Sequence, residues 1–237
     1  MPDLLASFLA TVDRLFLFDP EVLQIIGLSL RVSLTAVVLA ALIGLPLGAL
    51  LAVKRFPGRS LVVVVIDALM GLPPVVVGLT VYLLVSRSGP LGALGILYTP
   101  TAMILAQCVL VLPIVTALTR ETVEEMWEEY GEQLRSLGAS PGRATLTILW
   151  DARFRLVTGL LAGFGRAVAE VGAVLIVGGN INGVTRVMTT TIALETSKGD
   201  IPLALGLGGI LLVLALGVNI FVHGTKAIAR RMGSAAA

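Results

Sequence analysis

Charge is what this chain has least of. Only 14% of its 237 residues are charged, where a soluble domain carries roughly 25%, and the net charge of +2 gives no reason to expect a nucleic-acid partner. Cysteine occurs once, at Cys108, which excludes an internal disulfide and a cysteine-built zinc cage. It falls within an apolar run, where a packing role suits it. Histidine also occurs once, at His223, so a multi-histidine metal centre is excluded. There is no Gly-x4-Gly-Lys-Ser/Thr loop, and the chain cannot hydrolyse ATP by itself. His-Glu-x-x-His, a nucleophile elbow and a Cys–His pair are missing too, and no internal repeat is visible.

What fills the chain instead is apolar. Hydrophobic residues make up 57% of it, and the mean hydropathy is +0.99. The runs are long and unbroken rather than alternating, which indicates a one-domain, all-α integral membrane protein and not a β-barrel. A bilayer is spanned by about 20 apolar residues. Five stretches meet or approach that length: Val22–Val53, Leu61–Val85, Thr101–Leu118, Leu156–Val177 and Leu203–Val222. Arg31, near the outer end of the first, is placed to snorkel. Before them, Met1–Pro20 lacks a basic start and a cleavage site. Its helical stripe (Leu4, Leu5, Phe8, Leu9, Val12, Leu15, Phe16) reads as a helix lying on the membrane surface. The chain thus divides into a surface segment, 1–21, and a transmembrane domain, 22–237.

Basic residues orient the spans. Lys54, Arg55, Arg59, Arg120, Arg135, Arg143, Arg153, Arg155, Lys226, Arg230 and Arg231 fall on one side, eleven in all, against four on the other: Arg14, Arg87, Arg186 and Lys198. This predicts a cytoplasmic C-terminus, a cytoplasmic loop over 119–155 and an N-terminus outside. An odd number of spans agrees. Of the outer loops, Ser86–Pro100 reads as a short irregular cap rich in Gly and Pro. Gly178–Pro202 is longer and polar, with room for a short re-entrant helix.

Glu121–Asp151 is the one long polar stretch, with six glutamates at Glu121, Glu124, Glu125, Glu128, Glu129 and Glu132. Met126, Trp127, Tyr130, Leu134 and Leu137 run through it at helical spacing and form one apolar stripe. Gly138 suits a left-handed helix end. Ser140 offers a cap oxygen and Pro141 a preset first turn, so a second helix starts there. Helix, corner and helix together form a unit suited to docking. The glutamates need no metal, since acidic residues near a helix N-terminus are favourable through its dipole.

Within the spans, Arg166 and Glu170 are one turn apart and share a face. Charges at that depth face the protein interior or a wet cavity, so the pair either fixes helix packing or lines a path. Pro73 and Pro74 are expected to kink the second span, with Gly71 and Gly78 permitting close helix approach. Gln107 can bond across helices. Thr80, Thr116 and Thr189–Thr191 carry hydroxyls able to bond an oxyanion, and Asp67 reads as interfacial.

The polar loop resembles the cytoplasmic coupling loop of ABC-type importer permeases, whose pattern is Glu-Ala-Ala, three residues, Gly, nine residues, Ile-x-Leu-Pro. Here the frame gives Glu132-Gln133-Leu134, Gly138, Ile148 and Trp150-Asp151, with the two alanines and the Leu-Pro replaced. The run Ser136–Pro141 is also typical. The Arg166-Ala-Val-Ala-Glu-Val-Gly-Ala run resembles the corresponding span of oxyanion permeases, and Leu149–Phe154 with Asn180–Asp200 is most similar to tungstate permeases within them. The resemblance begins at the first span.

It implies a type I importer fold and a plasma-membrane permease subunit working as a homodimer. Two separate ATPase subunits would carry the ATP and Mg, with no cofactor in this chain, and an extracytoplasmic binding protein would deliver tungstate, or else molybdate or sulfate. Contact with the ATPase would fall to Glu132, Leu134, Leu137, Gly138, Ala139, Ser140, Pro141, Ile148, Trp150 and Asp151. The path would be lined by Arg166, Glu170, Pro73, Pro74, Gln107 and Thr80. Asn180, Asn182 and Arg186 would face the binding protein. The rivals are a membrane-embedded enzyme using Asp67, Glu170 or Asp151, which lacks a paired-Asp or His-rich signature, and a sensor whose loop binds a signalling partner.

Overall fold

Long apolar runs leave the backbone no partner but itself, and the chain answers with helices. A computed structural model describes residues 20–234, which contain helices and no strand. The surface helix expected over Met1–Pro20 lies almost wholly outside the described residues. In order, α1 is Pro20–Val53, α2 Arg59–Met70, α3 Pro74–Val85, α4 Pro100–Ser136, α5 Pro141–Asp151, α6 Arg153–Val168, α7 Gly172–Gly178, α8 Met188–Lys198 and α9 Ile201–Ser234. A 3₁₀ turn, Gly92–Leu94, occupies the irregular outer loop.

α1, α4 and the stretch Ile201–Val218 of α9 are each long and apolar enough to cross a membrane; counting each of two broken helix pairs as one span gives up to five. Those pairs correct the expectation of five continuous helices. The second stretch does not merely kink at Pro73-Pro74 but stops. Gly71 and Leu72 close α2 with bonds to Ala68 and Leu69, and Pro73 is extended (φ −62°, ψ 124°) as the residue before α3. A residue preceding proline is pushed out of the helical region, and two prolines in series leave no helical route through. Single prolines at Pro46 and Pro113 sit inside α1 and α4 without ending them. The fourth stretch also breaks, between α6 and α7.

The described residues fall into two compact units. One comprises the chain up to Ala36, Pro73–Cys108 and Gly165–Gly217. Its core joins α1, α8 and α9 through Val22, Ile25, Met188 and Leu207. Ser29 Oγ accepts the Met188 N–H at 2.8 Å and so serves the first turn of α8. This short helix falls within the Gly178–Pro202 stretch. In the same unit α3 crosses α7 with almost no separation: a Cβ on Gly78 would lie 2.7 Å from Ala173 Cα.

The second unit comprises Val37–Leu72, Val109–Phe164 and the chain from Val218 onward. Its core gathers Ala49 and Ala52 of α1, Val123 of α4 and Ile148 of α5. α2 buries none of its side chains, and Leu61, Val62, Val64, Val65 and Leu69 are bare. Bare apolar faces of that extent suit lipid rather than water.

Candidate functional site

The elbow forms as its residues dictate. α4 runs on from the apolar stretch through all six glutamates and ends in a two-bond cap. Ala139 N–H donates to Leu134 O at 3.0 Å and Gly138 N–H to Arg135 O at 2.9 Å. That pairing needs a left-handed residue, and Gly138 supplies it at φ +80°. Ser140 is extended and Pro141 opens α5, as expected. The expected serine cap is absent: no side-chain bond from Ser140 reaches the α5 N-terminus.

The apolar stripe divides in a way its spacing did not announce. Met126, Trp127 and Leu134 pack inward on the cluster of Ala49, Ala52, Val123 and Ile148. Ile148 is 1% exposed, so this residue, expected at the docking face, instead fastens α5 to the unit. The large apolar groups left bare are Tyr130 and, most of all, Leu137 (84% exposed), Leu146 (68%) and Trp150 (69%). Arg153 stacks over the Trp150 ring at 4.9 Å. Glu132 and Asp151 are exposed and Ala139 half-buried.

Two of the six glutamates are internal ties. Arg59 reaches Glu124 at 2.6 Å and also donates to Leu51 O at 2.7 Å. Arg120 lies 3.6 Å from Glu124 and 3.5 Å from Asp67, linking α4 to α2. Arg155 pairs with Glu125 and holds its carboxyl below the usual carboxylate range. Asp67 is thereby an ion-pair partner at the edge of a cleft of about 540 Å³, lined further by Arg120, Glu121, Glu124, Glu125 and Glu128. Sequence reasoning used Arg59, Arg120 and Arg155 only to count charge. Their alternation with the acidic run was the available signal.

In the other unit, Arg166, Glu170 and Gln107 come together. Gln107 Nε2 donates to Ala167 O at 2.9 Å. Arg166 lies 3.4 Å from Glu170, but across the break between α6 and α7 rather than along one continuous turn. Glu170 is 3% exposed and makes that break: its carboxylate accepts the Ala173 N–H at 3.1 Å, and its carbonyl accepts the Thr189 hydroxyl at 2.8 Å. Glu170→Ala should therefore orphan a buried donor and cost about 1–3 kcal/mol, with Glu170→Gln largely sparing it. Thermal unfolding in detergent checks this, and equal losses for the two variants would count against the capping role.

Thr80 is exposed, with its hydroxyl donated to Val76 O at 2.8 Å. Pro73 is exposed and Pro74 half-buried. On the long loop, Asn180 is left-handed (φ 51°), with Nδ2 3.4 Å from Thr190 O and a buried Oδ1 that has no partner. Asn182 is exposed, and Arg186 lies 3.7 Å from Glu21. Of these three, Asn182 alone is freely presented.

Relatives bring the geometry into context. The chain is 42% identical to the tungstate uptake system permease protein TupB of Peptoclostridium acidaminophilum over 217 residues, covering 92% of this chain and 95% of that one. It is 44% identical over 201 residues to a probable anion ABC transporter permease protein of Haloferax volcanii, covering 83% and 87%. The sulfate transport system permease protein CysT of Escherichia coli is 28% identical over 205 residues, covering 84% and 74%. The family of binding-protein-dependent transport system inner membrane components matches residues 44–233, elbow and broken helices included. This chain belongs to that family and is a multi-pass permease component rather than an enzyme.

Proposed function

We propose that this chain is the membrane-spanning subunit of a tungstate importer, admitting that or a similar tetrahedral oxyanion. The observation that carries the substrate is identity above 40% along nearly the whole length of a tungstate permease, against 28% for a sulfate permease. The arrangement that goes with it is five spans, counting each broken pair as one, with the N-terminus outside and the C-terminus and elbow in the cytoplasm, as the eleven-to-four distribution of basic residues favours.

Two copies enclose the path. ATP and Mg sit on two separate ATPase subunits, and this chain holds no cofactor. The bare Leu137 and Trp150, with Glu132 and Asp151 beside them, meet the ATPase. Ile148 and Leu134 hold the elbow rigid from beneath. Closure of the ATPase pair on ATP draws the two elbows together and turns the path outward, toward a binding protein that meets the Asn180–Arg186 loop. Rigid-body movement does this work. Arg166, Glu170 and Gln107 shape the path by setting the break between α6 and α7.

The test is ATP turnover in proteoliposomes containing the chain, its ATPase and its binding protein. Tungstate is expected to stimulate turnover more than sulfate does. Robust stimulation by sulfate alone would overturn the substrate, and turnover indifferent to every oxyanion would overturn the importer.

A further inference from the structure

Between α5 and the end of α1 lies a groove of about 430 Å³, which shares only Pro141 with the residues expected to meet the ATPase. One wall is the last two turns of α1, with Pro46, Ala49, Leu50 and Val53; the other is α5, with Leu146 and Leu149. Its lining is apolar apart from Thr145 and Lys54. Pro46 and Lys54 are eight residues apart, about 12 Å along a helix. Above the groove, Ile43 and Leu47 of the same spanning helix are also bare.

The groove thus continues into the bare apolar face of α1, which on the spanning role read for that helix meets lipid. A soluble partner would have to reach the depth of Pro46 to fill it. Lys54 of the lining and the adjacent Arg55 are exposed, and Arg143 is exposed on α5 between the lining residues Gly142 and Thr145. None of the three has an ion pair among the described residues, although Arg59, Arg120 and Arg155 of the same unit all do. Three unspent cations beside an apolar slot match a negatively charged headgroup on an acyl chain.

We propose that this groove holds one acyl chain of an anionic phospholipid, with its headgroup at Lys54, Arg55 and Arg143. The proposal rests on α1 crossing the bilayer as read above, but not on the substrate or on sidedness. Lipid would then fill the space under α5 and set the stiffness of the elbow.

Trp150 lies one turn from Leu146 on the same helix and can report occupancy, once Trp127→Phe removes the other tryptophan. The full chain would be placed in phosphatidylcholine vesicles containing a small fraction of phosphatidylglycerol or phosphatidylcholine with brominated acyl chains. Brominated phosphatidylglycerol is expected to quench Trp150 at a severalfold lower fraction than brominated phosphatidylcholine. Combining Lys54→Glu, Arg55→Glu and Arg143→Glu should abolish that preference while phosphatidylcholine quenching stays. Changing the same positions to glutamine, a milder alteration of the surface, should also remove it. Equal quenching by the two lipids, or a preference that survives both triple variants, would overturn the proposal. So would loss of quenching by both lipids when the ATPase subunit is assembled, which would give the groove to that protein. These vesicles are symmetric and need no transport, so failure here is separable from failure of the importer reading.

Discussion

Gly138→Pro is expected to abolish recovery of the ATPase with this chain from detergent, while the chain itself still inserts into membranes. Proline is held near φ −65°, whereas Gly138 sits at +80° and donates its N–H to Arg135 O. Neither the turn nor the bond can form, and a loss beyond about 3 kcal/mol falls on the elbow alone. At tenfold per 1.4 kcal/mol, that leaves the docked geometry at about a hundredth of its population or less. Gly138→Ala provides a graded step. No atom lies within 4 Å of the added methyl, so only the left-handed backbone is penalised, by about 1–2 kcal/mol. Co-purification should fall in the order glycine, alanine, proline, with alkaline extraction showing equal membrane insertion. Full recovery of the complex with proline would refute the role assigned to this corner.

The second large effect is expected at Gly78. Its missing side chain lets α3 rest on α7, and an added Cβ would meet Ala173 Cα at 2.7 Å and Ala173 O at 3.1 Å. Those are backbone atoms and cannot step aside as a side-chain tip can. Gly78→Val must push the two helices apart, at a cost of about 3 kcal/mol or more. For a chain of this size that lowers the unfolding midpoint by about 6–12 °C. Gly71→Ala is the matched control, because its added methyl meets only Ala68 O at an ordinary 3.5 Å. Equal midpoints for the two variants would show that the crossing tolerates separation.

What the sequence made legible was whatever depends on local chemistry. The elbow was readable because glycine, serine and proline in that order leave the backbone few choices. The membrane-crossing stretches were readable because length and hydropathy suffice. The failures share a different cause. The apolar stripe through Trp127 was read as a docking face because periodicity shows that a face is apolar, not what covers it. α5 folds back and covers half of it. The break at Glu170 left no local mark, since Ala-Val-Ala-Glu-Val-Gly is ordinary helical text. There the Glu170 carboxylate takes the Ala173 N–H three residues on, while Gln107 bonds the Ala167 carbonyl and Thr189 the Glu170 carbonyl, and these last two are tertiary events. At Pro73-Pro74 the signal was present, but two prolines in series act more strongly than the sum of two kinks.

The threonines carry one more consequence. Thr80, Thr116 and Thr191 each donate their hydroxyl proton to a carbonyl one turn back, and Thr189 donates to Glu170 O. Thr116, Thr189 and Thr191 are also buried, so Thr80 alone reaches the surface, and what its hydroxyl still presents there is lone pairs, which repel an anion rather than hold it. A dianion meeting Thr80 would find little to grip. On the path proposed above, capture and discrimination then fall to whatever delivers the cargo.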